Sequence, residues 1–118
     1  MVFAINVLSI LRAKGSQNMQ TERVKSRGVL LKLASHIVQL AVIVREAEGI
    51  NDNDAYMVAE EIINHVSAAH QVPSQDCWPV QTVCRAWQIV VQRQPACRCA
   101  DMNSVADKLV KLDWVAVN

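Results

Sequence analysis

The stretch Thr21–Ala47 constrains this chain more than any other feature. Leu30, Leu33, Ala34, Ile37, Ala41 and Val44 recur at three- and four-residue spacing, which is the period of an α-helix. Leu31, Val38 and Val42 widen the stripe, and only Lys32, Ser35, His36 and Gln39 are left to form a polar side. A helix that is apolar over most of its circumference is packed on several sides, so the sequence predicts a central helix with neighbours around it. Gly49 supplies a stop.

The chain has 118 residues, the size of a single domain, so a two-domain enzyme and a long repeat array are excluded. Hydrophobic residues make up 52% and charged residues 19%, which argues for a packed core and against disorder. Aromatics are 4%, so the core is expected to be aliphatic. Three Gly and three Pro are too few for the turns of an all-β fold.

Three further helices follow. The second opens after Asn51-Asp52-Asn53-Asp54, whose side chains can accept from free N–H groups and whose acids suit the positive end of the helix dipole. Ala55, Val58, Ala59, Ile62, Val66 and Ala69 form its apolar face, and Pro73 sets its end near His70. The third starts with Pro79 at the first helical position, with Asp76 or Cys77 ahead of it, and buries Val80, Val83, Cys84, Trp87, Val90 and Val91. In the fourth, Ser104 and Asp107 resemble a capping pair, and Val105, Leu109 and Leu112 continue the stripe. Trp114 and Val115 are expected to pack back on the bundle. The fold class is therefore all-α: a compact bundle of about four helices, near residues 21–47, 53–70, 79–94 and 103–115.

Residues 1–18 are read separately. The codons for Lys14-Gly15 are purine-rich and would stand at ribosome-binding distance ahead of Met19 in a bacterial gene. This predicts an upstream extension, with a short extra N-terminal element as the alternative, and places the helical domain at 19–118. Met1–Leu11 has no preceding positive charge, is interrupted by Asn6 and Ser9, and falls short of a bilayer span. The expectation is a cytoplasmic protein without a membrane segment.

Charge is segregated along the chain. Residues 1–45 hold seven Lys or Arg against Glu22 alone, and residues 46–76 hold seven acids and no Lys or Arg, although the formal net charge is +1. One reading makes the acidic second helix, through Glu60 and Glu61, a docking face for a basic partner protein. Trp78 and Trp114, near a loop and the C-terminus, would add interface anchors. A second reading makes Arg23, Lys25, Arg27 and Lys32 a phosphate-binding patch, with Gln81 and Arg85 of the third helix reaching bases. The bland alternative pairs the two charged blocks within the fold, and core packing is the corresponding alternative for the tryptophans.

Chemistry-bearing patterns are weak. Cys77, Cys97 and Cys99, with His70 or Cys84, have the donor types of a zinc site, but Cys97-Arg-Cys99 is not a common zinc spacing. Inert thiols are the favoured reading. Cys77 at a helix start with His65 or His70 is the best nucleophile pair, with no local signature around it. His36 falls on the polar stripe, as a surface or interhelix residue, and His65 stands one turn from Glu61 as its partner. There is no P-loop, no dinucleotide fingerprint and no His-Glu-x-x-His motif.

The sequence therefore points to a non-catalytic interaction protein without a cofactor: a regulator, adaptor or inhibitor of bacterial, phage or plasmid type. An amphipathic helix running into Trp78-Pro79 is similar in outline to helical dimerisation domains of phage-type transcriptional activators. Because the first helix has more apolar surface than three short helices readily cover, a two-fold homodimer is part of the same expectation. The alternatives are a nucleic-acid-binding transcriptional regulator and a zinc- or thiol-dependent protein.

Overall fold

The computed structural model describes residues 19–70 and 77–117, with side chains at 27–69 and 77–117. Helix α1 is Met19–Glu48, α2 is Asp52–His70, α3 is Val80–Gln92 and α4 is Met102–Leu109. Two short strands join them, β1 at Trp78–Pro79 and β2 at Val115–Ala116. The all-α bundle read from the sequence is the fold. The expected extension or extra element at 1–18 lies outside the described residues.

α1 ends because Gly49 adopts φ +67°, and its N–H donates to the Arg45 carbonyl at 3.0 Å. Only glycine takes this left-handed conformation without a steric penalty. The chain then folds back into α2, which packs along α1. At the start of α2, Asn51 Oδ1 accepts from the Asp54 N–H at 2.8 Å, while Asn51 Nδ2 donates to Asp54 Oδ2 at 3.0 Å. This reciprocal pair satisfies one of the free donors of the first turn.

The core takes Leu33, Ile37, Leu40 and Val44 from α1, and Ala59, Ile62, Ile63 and Val66 from α2. α3 contributes Val83, Trp87 and Val90, and α4 contributes Val105 and Leu109. Each buried aliphatic side chain of this size stabilises the fold by roughly 1.5–3 kcal/mol relative to exposure. The core is mostly aliphatic, as the composition implied, yet Trp78, Trp87 and Trp114 are all buried in it. Rarity of aromatics along the chain therefore did not keep them out of its centre.

Four local expectations need correction. Pro79 precedes α3 as its cap residue, with φ −58° and ψ 136°, so it is not the first helical residue. The fourth helix is capped by Asp101, which accepts from the Asn103 N–H at 3.2 Å, so Ser104 and Asp107 are not its cap. That helix also ends at Leu109, well short of residue 115. The N–H groups of Lys111 and Leu112 bond three residues back, a tighter turn that redirects the chain. The fourth correction is the strand pair itself, since the tail finishes as an extended segment.

β2 lies parallel to β1, with Trp78 opposite Val115 and Pro79 opposite Ala116, and the Trp78 N–H donates to the Trp114 carbonyl at 2.9 Å. A parallel pair needs a long crossover, which α3 and α4 supply. Pairing so short leaves no two-residue alternation to read. Segment Arg27–Glu48 is long and apolar enough to cross a membrane by length and composition. In this fold one face of it packs into the core, with Leu40, Val44 and Glu48 fully enclosed, while Leu31, Val38 and Val42 stay exposed.

Candidate functional site

Glu48 is the last residue of α1 and is 0% exposed. Its position extends the buried Ile37–Val44 face by one more turn, which carries the carboxylate inward. Oε1 accepts from the backbone N–H groups of Arg98 at 2.7 Å and Cys99 at 2.9 Å. Oε2 accepts from the Ala100 N–H at 3.1 Å and the Trp87 indole N–H at 3.1 Å. Cys99 adopts φ +57°, and this left-handed step aims three consecutive N–H groups at one point, forming an anion-binding nest. The Arg98 guanidinium covers Gly49 closely: a Cβ there would stand 3.3 Å from Arg98 Cζ. Glycine is thus required at 49 by its dihedral angle, while the flexible Arg98 side chain could shift to admit a Cβ.

Two carboxylate oxygens offer about four acceptor positions, and all four are filled here. Glu48 has no acceptor position left for a ligand donor. It organises the fold by tying α1, α3 and the Pro95–Asp101 loop together. The sequence reading counted Glu48 among the acids of the 46–76 block and missed this role. The signal was present: a carboxylate in register with a buried stripe, followed by glycine.

A second cluster gathers His36, Trp78 and Trp114. The His36 ring stacks on Trp114 with centroids 4.6 Å apart and meets the edge of Trp78 at 5.2 Å. The two indoles are perpendicular, 87° apart at 5.7 Å. Neither Trp78 Nε1 nor Trp114 Nε1 has a hydrogen-bond partner among the described residues. Trp78 is 0% and Trp114 4% exposed, so the expectation that they anchor a partner is corrected: they anchor the tail to the bundle. His36 is buried as an interhelix residue, not a surface one.

The acidic docking face is also partly used internally. Glu61 is half-buried, and its two oxygens accept from Gln94 Nε2 at 3.3 and 3.4 Å. Glu60 beside it is half-buried and also makes contacts within the fold. His65 bonds Arg93 Nη2 at 2.7 Å, so its described partner is not Glu61 as spacing suggested. Arg45 pairs with Asp52 at 3.0 Å, joining the two charged blocks across the α1–α2 turn. Arg27 and Lys32 on α1 are exposed, as are Gln81 and Arg85 on α3. Arg23 and Lys25 lie in the first turns of α1, where side chains are outside the described residues. α3 packs chiefly on α2.

All four cysteines are free thiols: Cys77 and Cys99 are exposed, Cys84 and Cys97 half-buried. No group of three His, Cys, Asp or Glu able to hold a metal occurs among the described residues, and the His70 side chain lies outside them. Burial raises the Cys84 thiol above its ordinary value. Burial, reinforced by the Glu48 and Cys99 charges, pushes Cys97 up to about 11. At pH 8 the Cys97 thiolate fraction is then about one in a thousand, and the thiolate is the reactive form. Brief iodoacetamide treatment at pH 8, read by peptide mass spectrometry, should alkylate Cys97 at least about tenfold more slowly than Cys77 and Cys99. Raising the pH to 10 should narrow the gap. Cys97 labelling as fast as the exposed thiols at pH 8 would contradict the assignment.

Part of the solvent-facing surface is apolar. Leu31, Val38 and Val42 of α1 are 63%, 56% and 45% exposed, and Tyr56 and Met57 of α2 are exposed as well. Val38, Ala41, Val42, Arg45, Asp52 and Tyr56 line a groove of about 210 Å³. Comparisons with protein-family models, curated proteins and solved structures each return no match to this chain.

Proposed function

We propose that the protein acts by binding another macromolecule through the outer flank of α1, as a small cytoplasmic regulator, adaptor or inhibitor, and not by catalysis. The observation that carries this reading is the row Leu31, Val38 and Val42, three large apolar side chains exposed along one helix. Contiguous apolar exposure of this kind marks interaction surfaces on soluble proteins. The internal engagement of Glu48 and the raised Cys97 thiol support the non-catalytic half of the reading. The contact surface thus moves from Glu60, Glu61, Trp78 and Trp114 to α1.

A photo-crosslinking amino acid at position 38, introduced in cells that naturally carry the gene, tests this. A discrete covalent adduct with a macromolecule is expected at position 38. None is expected at position 88, an exposed site on α3. Adding Leu31→Glu should abolish the adduct. Illumination without any adduct at position 38 would overturn the proposal.

A further inference from the structure

The flank of α1 has a regular composition. At 100° per residue, Leu31, Val38 and Val42 fall within about 40° of one another. Gly28, Ala34 and Ser35 border them and are exposed too. Gly28 is unusual, because glycine inside a helix costs about 1 kcal/mol relative to alanine. Among the described residues a Cβ at Gly28 would meet nothing within 4 Å, so packing against them does not call for glycine there. A second helix crossing closely over that position would.

Charge along α1 selects the direction of such a helix. Its first turns carry Arg23, Lys25 and Arg27 against Glu22, whereas its end carries Glu46 beside Arg45, and Arg45 is itself paired with Asp52 at 3.0 Å. A parallel copy would set basic turns against basic turns. An antiparallel copy sets the basic end of one helix against the acidic end of the other, which steers encounter and fixes register.

We infer that a second copy of this chain occupies this face, its α1 packed antiparallel about a two-fold axis between Ser35 and Val38. This rests on the proposed use of the α1 flank and names its occupant. In that register Leu31 meets Val42 of the second copy, and Ser35 meets Val38. Arg27 meets Glu46 of the second copy, and the aliphatic stem of Arg45 lies over Gly28 of the second copy. The contact is isologous, so the same patch serves both chains and the assembly closes at two.

Light scattering on the full chain, from about 1 to 200 µM, tests the pairing. The expected mass at the high end is twice the 13.1 kDa of one chain. Val38→Glu should return it to one chain with unchanged helical circular dichroism, because Val38 is 56% exposed and outside the core. Arg27→Glu should weaken the dimer about tenfold, and adding Glu46→Arg should restore it. A single-chain mass across the whole range overturns the inference. A dimer indifferent to Arg27→Glu overturns the antiparallel register. A protein that is single-chain in solution but floats with phosphatidylcholine vesicles containing 30% phosphatidylglycerol, and loses this with Val38→Glu, overturns it in favour of a lipid surface. A single-chain protein that still gives the position-38 adduct with a different macromolecule overturns the second copy and leaves the proposed function standing.

Discussion

Replacing Glu48 with alanine is expected to destabilise the protein by about 3–5 kcal/mol, because four N–H donors lose their shared acceptor at once. The substitution leaves three part-buried backbone N–H groups and the buried Trp87 indole N–H without their acceptor. Each buried donor left unsatisfied costs about 1–3 kcal/mol, partly relieved where the loop shifts to admit solvent. Glu48→Gln keeps the volume but turns an amide NH₂ toward N–H donors, and should cost about 2–4 kcal/mol. A domain of ordinary stability holds only about 5–15 kcal/mol in total, so the alanine variant should melt more than about 10 °C lower. Urea unfolding at pH 7 measures the loss. Glu46→Gln is the control, because Glu46 is exposed and the change should stay within about 0.5 kcal/mol. If Glu48→Ala unfolds at the same urea concentration as the parent, the nest does not organise the fold.

Trp78→Ala is expected to cost about 3–5 kcal/mol, and Trp114→Ala a similar amount. Either change opens a cavity where three rings meet and loosens the β1–β2 pair beside it. Trp114→Phe should lose less, since it keeps a ring against His36 while removing an indole N–H that has no described partner. Near-ultraviolet circular dichroism reads the same event. The perpendicular Trp78–Trp114 pair should dominate that spectrum, and each alanine variant should lose much of it. Full retention of the signal with an unchanged melting temperature would mean that the tail is not held by these rings.

Much of the helical architecture was legible in the sequence, because helices announce themselves through apolar period. α1 and α2 follow their predicted limits within two residues, and Gly49 stops α1 as its conformational freedom suggested. The end of α4 was not legible. Leu112 continues the stripe of Val105 and Leu109, and nothing local reveals that the chain must turn to reach Trp78. The burial of Trp78 and Trp114 was hidden for the same reason, since it depends on a contact between distant segments. Glu48 was masked by its neighbours: in a run of acids, composition favours the solvated reading, and only helical register separates it from Glu46. The exposed row on α1 was written in the sequence as excess apolar surface. Which part of that surface the other helices would leave bare depended on how they pack.

The parallel pairing of Trp78 with Val115 also bears on how the protein is made. A ribosome delivers β1 and α3 well before it delivers β2, so β1 waits unpaired while the intervening chain is synthesised. Closure of this corner waits for residues 114–116, and a chain cut before them would leave the Trp78 indole without its Trp114 cover.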